Sequence, residues 1–371
     1  MKVVQLVTQM EAGGAQRVAY LLKNELELRG YDSRLWFLYT KRPAYAREPG
    51  VESLLSHPPS IAGYLRIVLR LARMIYVERP DVLITHTHYA NVLGNLVASI
   101  LRLRTRIAVQ HNPTHTFPRL ARIADRAAGS VGLYSRIVAV SQTVSESVSR
   151  YPLTYRQRLT TAFNGVPEPG PTPPREITRK RWNIPAEAPL LVNVGRLSQQ
   201  KNQEFLIRLL QKGADLHLLL VGEGELRDRL KAAARDLGVA ARVHFTGEVT
   251  PDEVSALISA GDVFVLPSLF EAVSMVMLEA MLLGVPIVSS DIPSAREFLA
   301  EDGVLVETAY PEKWLAAIRM LLDRPDLAAA MTTRAKTKAQ RFTVPRMADA
   351  YERLIAPAGS LDLVESIDSL Q

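Results

Sequence analysis

Short runs of apolar residues alternate along the chain with longer stretches in which apolar residues recur at helical spacing. The short runs predict two series of strands, near 2–8, 33–39, 81–86, 105–110, 136–140 and 159–163, and near 189–195, 215–221, 242–246, 262–266, 285–290 and 303–306. Strands that alternate with helices favour parallel sheets covered by helices. Since 371 residues exceed what one hydrophobic core usually serves, we predict an α/β protein with two Rossmann-like domains.

A proline-rich stretch at 167–174 separates the two series. Proline lacks a backbone donor, so this stretch can form neither a helix interior nor a central strand. We therefore predict an N-terminal domain over 1–167, a linker over 168–176 and a C-terminal domain over 177–340. The last part, 341–371, is predicted to be an amphipathic helix to about 356, followed by a loose tail beyond Pro357.

Composition excludes several classes of protein. Without cysteine, disulfides, thiolate catalysis and cysteine-zinc sites are excluded. The uncharged run between Asp81 and Arg102 is long enough to span a membrane, but its histidine, threonine and asparagine side chains would lack partners in hydrocarbon, so no crossing is predicted. The N-terminus runs directly into a strand without the segments of a secretory signal, and we expect a cytoplasmic protein.

Charge is distributed unevenly between the two halves. Residues 1–170 contain 22 Lys and Arg against 11 Asp and Glu, whereas the remainder contains 23 against 27. A basic first half predicts an anionic partner, such as a membrane surface or a pyrophosphate-bearing lipid; a solvated basic face is the alternative. The basic, amphipathic segment 64–76 favours peripheral membrane contact, with a core-facing helix as the alternative. No nucleic-acid-binding motif accompanies these charges, so nucleic acid is not an expected partner.

The strongest constellation follows the buried strand predicted at 262–266. A helix is predicted to begin near Ser274 and to end at Gly284, which places its N-terminus at the carboxyl end of a strand. Ligands of open α/β sheets bind at that edge, and the unpaired amides of a helix N-terminus favour phosphate. We expect the backbone of Ser274, Met275 and Val276 to donate to one.

Two carboxylates and a basic loop complete this constellation. Glu271 precedes the helix and Glu279 lies inside its apolar run, where a surface pair of glutamates is the less favoured alternative; carboxylates suit the hydroxyls of a sugar and a ribose. Arg196 and Lys201 flank the loop after the strand at 189–195 and would stabilise a diphosphate as its charge develops. Pairing of this loop with acidic neighbours such as Glu204 is the alternative.

A Gly-Gly turn follows the first predicted strand. Gly13 and Gly14 permit close approach of a phosphate, or of the sugar that it carries, to the backbone. Their spacing does not match G-x-G-x-x-G, which counts against a nicotinamide or flavin enzyme. A turn that only connects the strand to the helix is the alternative.

Histidines cluster at strand ends of the first half. His111 directly follows the strand at 105–110, and a neutral imidazole there can hydrogen-bond a donor sugar or polarise an acceptor hydroxyl. His86, His88 and His115 lie nearby in the pattern. No H-E-x-x-H motif or closely spaced carboxylate set accompanies them, so no metal site is predicted.

Together these segments resemble glycosyltransferase family 4. The likeness covers nearly the whole chain and rests on Gly-Gly-x-x-Arg at 13–17, Phe-Asn-Gly-Val at 163–166, Gly-Arg-Leu at 195–197 with Lys201, Leu-Val-Gly-Glu-Gly at 220–224, and the pair Glu271 and Glu279. Two departures concern Pro167, where the family usually has an acidic residue, and Ala272, in place of a common glycine. The resemblance implies retaining enzymes of the GT-B fold, with two Rossmann-like domains facing across a cleft and a C-terminal helix that crosses back to the first domain.

The resemblance also implies a role for each candidate residue. The implied donor-binding residues are Arg196, Lys201, Ser274, Met275 and Val276 at the diphosphate, Glu279 at the ribose, Glu248 and Val249 at the base, and Glu271, Gly14 and His111 at the sugar. Of these, His111, Arg196, Lys201 and Glu271 are the candidate catalytic residues. The base would be held through backbone atoms.

The implied reaction moves a hexose from a UDP- or GDP-linked sugar to an acceptor hydroxyl with retention, without metal or cofactor. The leaving phosphate oxygen would itself take the acceptor proton, which requires electrostatic stabilisation rather than a covalent intermediate. We expect a lipid-linked acceptor in surface polysaccharide or glycoconjugate assembly, and a location at the inner face of the cell membrane. A soluble small-molecule acceptor, a nucleotide-sugar epimerase of the same fold and a silent sugar-nucleotide-binding partner are the alternatives.

Overall fold

The computed structural model describes residues 1–356 and divides the chain into two compact units. Of the described residues, the first unit comprises 1–165 and 344–356, and the second comprises 166–343. Each unit is a parallel sheet covered by helices. The tail predicted beyond Pro357 lies outside the described residues.

The first unit is built on a seven-stranded parallel sheet with the order β3-β2-β1-β4-β5-β6-β7. Its strands are β1 (Lys2–Met10), β2 (Asp32–Thr40), β3 (Val51–Ser53), β4 (Val82–His86), β5 (Thr105–Gln110), β6 (Arg136–Ala139) and β7 (Leu159–Thr161). Its helices are α1 (Gly14–Leu28), α2 (Ile61–Glu78), α3 (His88–Ile100), α4 (Arg119–Ser130), α5 (Gln142–Glu146) and α6 (Leu153–Arg156), with a 3₁₀ turn at Thr114–Thr116.

The second unit is built on a six-stranded parallel sheet with the order β10-β9-β8-β11-β12-β13. Its strands are β8 (Leu190–Val194), β9 (His217–Val221), β10 (Val243–Gly247), β11 (Val263–Leu266), β12 (Ile287–Ser290) and β13 (Val304–Val306). Its helices are α7 (Arg175–Arg181), α8 (Gln203–Leu209), α9 (Arg227–Asp236), α10 (Pro251–Ser259), α11 (Met275–Leu283), α12 (Pro293–Leu299), α13 (Pro311–Asp323) and α14 (Pro325–Ala339). Three 3₁₀ turns lie at Gln199–Lys201, Ala240–Arg242 and Gln340–Phe342.

The last described helix, α15 (Val344–Ile355), belongs to the first unit and packs against α1. Its inner face buries Met347 and Tyr351. The guanidinium of Arg29, which caps α1, donates to the carboxylates of Asp349 at 2.8 Å and Glu352 at 2.5 Å. A helix late in the chain is thereby fastened to the first helix.

The parallel sheets explain why the strands read as apolar runs. Residues such as Val4 and Leu220 are fully buried because helices cover both faces of each sheet. In both sheets the strand order reverses at the first strand of the unit, β1 or β8, and ligands of such sheets bind beyond the carboxyl ends at that point.

The predicted fold class is confirmed, since both parallel α/β sheets are present and α15 packs on the first unit. Each of the predicted strands overlaps an observed one. The strand β3 was not predicted, because three residues after Pro49 and Gly50 are too few to show a periodic pattern. Arg175 and Glu176, assigned to the linker from the sequence, lie in α7.

Candidate functional site

Two glycine-containing loops pack backbone to backbone at the carboxyl ends of β8 and β9. A Cβ atom on Gly222 would lie 2.4 Å from the carbonyl oxygen of Gly195, and one on Gly224 would lie 2.3 Å from that of Leu197. The amide of Leu197 also donates to the carbonyl of Glu223 at 2.9 Å. Only glycine permits this approach, so these two positions fix the loop that carries Arg196.

Lys201 and Glu271 form a nearly buried ion pair in the second unit. Lys201 lies at the end of the 3₁₀ turn after β8, and its Nζ donates to Oε1 of Glu271 at 2.5 Å. The side chains are 16% and 8% exposed. Ser268 donates its hydroxyl to the same carboxylate oxygen at 2.7 Å. The structure thus brings together two residues predicted separately, and each charge compensates the other.

Arg196, by contrast, is exposed on the same loop. Its carbonyl accepts a hydrogen bond from the side chain of Gln203 at 3.0 Å, which holds the loop against the start of α8. Glu204, the alternative acidic partner of this loop, instead pairs with Arg208 at 2.6 Å and Arg229 at 2.9 Å. The acidic partner of Lys201 on this loop is Glu271.

Helix α11 begins where the sequence predicted, with Ser274 at the N-cap and Gly284 in the left-handed conformation at the C-cap. The first amide with an acceptor in this turn is that of Met277, which donates to the carbonyl of Ser274 at 3.1 Å. The amides of Met275 and Val276 precede it and have no intrahelical acceptor, as at every helix start. Ser274 is buried, and its hydroxyl has no hydrogen-bond partner within residues 1–356. The turn therefore offers several donors to an anion.

Two other predicted contacts lie at the same sheet edge. Glu279 lies one and a half turns into α11 and is only 7% exposed, in a helix whose neighbouring residues are apolar and buried. Glu248 is exposed and Val249 half-buried in the loop between β10 and α10. Since all strands of the sheet are parallel, these loops emerge at one edge with Lys201 and Glu271.

A cavity of about 220 Å³ lies at the carboxyl edge of the first sheet. Its lining includes His111, Tyr89, Thr87 and Gln16. Thr87 adopts a φ of 74°, which residues with a side chain rarely take, and such strain clusters at ligand sites. Gly14 opens α1 in the same unit, and a Cβ atom there would meet nothing within 4 Å, so a ligand has room to approach its backbone.

His111 belongs to a chain of buried polar side chains. Its Nε2 lies 2.8 Å from Nδ1 of His86, and Nε2 of His86 lies 2.7 Å from Oε1 of Gln5. Burial lowers the pKa of His111 to about 3. Burial, and secondarily the neighbouring His111, lowers the pKa of His86 well below its usual value. Both imidazoles are therefore neutral at pH 7.

A second buried network flanks the first. The carboxylate of Asp125 on α4 accepts from the side-chain amide of Gln110 at 2.7 Å and from the hydroxyls of Tyr134 at 3.1 Å and Tyr155 at 3.0 Å. Burial raises the pKa of Asp125, and these hydrogen bonds oppose that shift. Gln110 lines the cavity next to His111. The end of β5 therefore takes part in both networks, through His111 in the first and Gln110 in the second.

The sequence prediction missed Gln5, Gln110 and Asp125. The signal that would have found Gln5 is a polar residue between the apolar, buried residues of a strand, whereas Gln110 is the buried last residue of β5. His86, placed at a strand end by the sequence, is the last residue of β4, and the structure shows that it is fully buried. The environment that a partner strand supplies is not visible in the local pattern.

Within residues 1–356, no three His, Asp or Glu side chains are grouped as they would be to bind a metal ion. None of the helices described has both the length and the apolar character needed to span a bilayer.

Family comparisons divide the chain at the same place as the fold. The family described as Glycosyltransferase Family 4 matches residues 12–168, and that described as Glycosyl transferases group 1 matches residues 174–338. The lipopolysaccharide core biosynthesis glycosyltransferase LpsE of Rhizobium meliloti is 32% identical over 183 residues, covering 48% of this chain and 53% of that protein. The D-inositol 3-phosphate glycosyltransferase of Thermobispora bispora is 28% identical, covering 79% of this chain and 75% of that protein.

Solved structures agree on the fold. The crystal structure of Anabaena Alr3699/HepE in complex with UDP and glucose has a TM-score of 0.82 and 21% identity, covering 95% of this chain and 98% of the other. That of WaaG, a glycosyltransferase involved in lipopolysaccharide biosynthesis, has a TM-score of 0.75 and 18% identity, covering 96% and 100%. The class is thus a glycosyltransferase of the GT-B fold. Within that class, the chain belongs to glycosyltransferase family 4.

Proposed function

We propose that this glycosyltransferase moves a hexose from a nucleoside diphosphate to a hydroxyl of a lipid-linked acceptor, with retention and without metal. One observation carries the donor half of the proposal: the buried ion pair of Lys201 and Glu271 beside the N-terminus of α11. A cation and unpaired amides suit the anionic diphosphate of a nucleotide sugar, and a carboxylate at the same sheet edge suits the hydroxyls of its sugar.

The second unit supplies the donor contacts in this proposal. Lys201 and Arg196 bind the diphosphate, and the amides of Met275 and Val276 add neutral donors from the α11 terminus. Glu279 accepts from the ribose and Glu271 from the hexose. The loop with Glu248 and Val249 holds the base through its backbone. Since two cations and a helix terminus oppose the diphosphate charge, the proposed reaction needs no metal ion.

Uridine is the favoured base. Support comes from the Anabaena protein, whose structure contains UDP and glucose, although the similarity extends only to the fold. GDP is the alternative. A thermal-shift panel of UDP, GDP, ADP and CDP discriminates them, since a ligand that binds only the folded chain raises its melting temperature. Stabilisation by GDP and not by UDP would reverse the assignment of the base.

The lipid-linked acceptor is supported by a surface of the first unit that we name the three-helix face. It consists of exposed apolar side chains on α2, α3 and α4, which pack side by side: Ile61, Leu65 and Leu69, then Tyr89, Leu96 and Ile100, then Leu120 and Ile123. On α2 this stripe lies opposite the buried one, where an ordinary surface helix is polar. Exposed Arg66, Arg73, Arg119 and Arg126 accompany it.

Apolar residues with arginines at their margins match an anionic membrane, at the cytoplasmic leaflet of the cell. Tyr89 belongs both to this face and to the cavity of His111. A lipid-linked acceptor held at the face would thus have its hydroxyl near the cavity. The lipopolysaccharide enzyme of Rhizobium meliloti supports an acceptor of this kind, while a soluble acceptor is the alternative.

Flotation with vesicles tests the membrane contact. The protein is expected to float with vesicles containing phosphatidylglycerol at low salt, and less with neutral vesicles or high salt. The pair Leu120→Asp and Ile123→Asp should abolish flotation, whereas Leu28→Asp, an exposed leucine on α1 outside the three-helix face, should not. Absence of flotation at low salt would leave the soluble acceptor.

Turnover tests the reaction itself. With labelled UDP-hexose and a membrane lipid extract, we expect label in the lipid fraction and an α-linked product from an α-linked donor by NMR. An epimerase would instead convert the labelled nucleotide sugar without any acceptor. Label transferred with the opposite anomeric configuration would contradict retention.

A further inference from the structure

We propose that Gln5 and His86 are positioning residues that hold His111 in one tautomer, with its proton on Nε2, so that Nδ1 accepts a hydrogen bond from a sugar hydroxyl in the cavity. This inference rests on the proposed function, because it assigns the ligand group that His111 meets. Gln5 lies on β1 and His86 on β4, and the sheet order β1-β4-β5 places His86 between Gln5 and His111.

The hydrogen bond between Gln5 and His86 fixes the direction of the next one, between His86 and His111. Oε1 of Gln5 can only accept, so Nε2 of His86, 2.7 Å away, must carry a proton. A neutral imidazole has one N–H, so Nδ1 of His86 can only accept. Nε2 of His111, 2.8 Å from it, must therefore donate. This leaves Nδ1 of His111 with a lone pair.

Burial keeps the chain of bonds in this state. Gln5 and His86 are fully buried and His111 nearly so. Desolvation lowers the pKa of both histidines, so neither ring becomes a double donor near neutral pH. No residue within 1–356 is hydrogen-bonded to Nδ1 of His111, and His111 lines the cavity. The lone pair is thus the polar group that this ring offers to a ligand.

The reverse arrangement has a distinct signature. The amide nitrogen of Gln5 has no partner among the described residues. If that nitrogen faced His86 instead, each bond in the chain would reverse and the proton of His111 would lie on Nδ1. A donor at that position would prefer a ligand oxygen that only accepts. The tautomer of His111 therefore decides whether the cavity selects a hydroxyl donor.

The tautomer can be measured without any turnover. In protein labelled with ¹⁵N-histidine, correlation of the ring carbon-bound protons with both ring nitrogens distinguishes a protonated nitrogen from a bare one. The His111 signals are assigned by their loss in His111→Asn. We expect a protonated Nε2 and a bare Nδ1 at pH 7.5. A protonated Nδ1 would overturn the proposal.

The role of Gln5 is tested by Gln5→Met, which keeps the volume and removes the acceptor. His86 then loses its fixed direction, so we expect His111 to show mixed tautomers and kcat/KM to fall about three- to tenfold, the range for one lost hydrogen bond. The matched control is Asn95→Leu, which removes an equally buried amide of the first unit that bonds to Thr85 and the carbonyl of Asn91. The control should lower the melting temperature and leave the tautomer and kcat/KM unchanged.

The outcomes separate this proposal from the proposed function. An unchanged tautomer in folded Gln5→Met would overturn the role of Gln5. An equal fall of kcat/KM in the control would assign the effect to stability and would also overturn it. If the wild-type protein transfers no hexose yet His111 shows the expected tautomer that shifts in Gln5→Met, the positioning chain stands and the proposed reaction fails.

Discussion

The carboxyl edges of the two sheets hold their polar groups by opposite means. In the second unit two buried groups are charged, and Lys201 and Glu271 compensate each other at 2.5 Å. In the first unit Gln5, His86 and His111 form a chain of neutral side chains. Charges can stabilise a charged leaving group, whereas a neutral chain can orient a hydroxyl without adding charge. Under the proposed function, the charged edge suits the departing diphosphate and the neutral edge suits the sugar hydroxyls.

The largest expected effect comes from removing the cation. Lys201→Ala should lower kcat/KM by about 10²- to 10³-fold, the loss expected for one electrostatic contact to a developing charge. It also leaves the buried carboxylate of Glu271 without its cation, which destabilises the second unit. The measurements are steady-state transfer and thermal unfolding, with exposed Lys212→Ala as the control.

Folding and catalysis can be separated in the same experiment. The double variant Lys201→Ala with Glu271→Gln should recover the melting temperature but not the transfer rate. Recovery of transfer would show that Lys201 serves only to neutralise Glu271, and the contrast between the two edges would then break down.

The next effect is expected at Glu279. Glu279→Gln keeps the shape of the side chain and removes the charge that strengthens its hydrogen bonds to hydroxyls. We expect UDP affinity to fall about ten- to hundredfold, measured by titration calorimetry. Exposed Glu312→Gln on α13 is the control. Undiminished affinity and turnover in both Glu279→Gln and Lys201→Ala would contradict the donor-site assignment.

The buried neutral His111 of the first unit should make the free energy of unfolding depend on pH. His111 has a folded pKa of about 3, below the unfolded value of about 6.5. Between these values the unfolded chain binds more protons, so stability is lost as pH falls below about 6.5, by about 1.4 kcal/mol for each pH unit. Chemical unfolding at pH 7.5 and 5.5 measures this loss, and His111→Asn should reduce the slope. Equal slopes would mean that His111 is not buried as a neutral base.

The smallest expected effect is a gain in UDP affinity, opposite to the loss expected for Glu279→Gln. Glu271→Gln removes a negative charge beside the proposed diphosphate site and releases Lys201 from its partner. We expect UDP to bind about fivefold more tightly while transfer slows, because attraction for the diphosphate increases and a sugar contact is lost. Calorimetry and steady-state kinetics on one preparation give both values. Weaker UDP binding would place Glu271, rather than Lys201, at the nucleotide.

The sequence predicted the structural features that depend on neighbouring residues and missed those that depend on contacts between distant segments. Strands buried on both faces appear as apolar runs, and the start and end of α11 follow from Ser274 and Gly284, so these predictions succeeded. The loop with Lys201 and the helix after Glu271 were also located, but their ion pair joins residues 70 apart in sequence. Their contact depends on β8 and β11 being neighbours in the sheet, which no local pattern states.

The first-unit cavity was the harder case for the same reason. Its positioning chain takes one residue each from β1, β4 and the end of β5. The strand order places these three side by side, although β2 and β3 intervene along the chain between β1 and β4. His111 was located because it directly follows an apolar run, whereas Gln5 was passed over because its hydrogen-bond partner His86 lies 81 residues away in sequence.

The bond between Arg29 and α15 has a consequence for biosynthesis. The first unit is discontinuous, since residues 166–343 are inserted between its sheet and its last helix. A ribosome therefore completes the whole second unit before it supplies the partner of Arg29. During that interval, the α1 surface of the nascent first unit lacks the helix that covers it. The unit whose synthesis starts first is therefore the last to be completed.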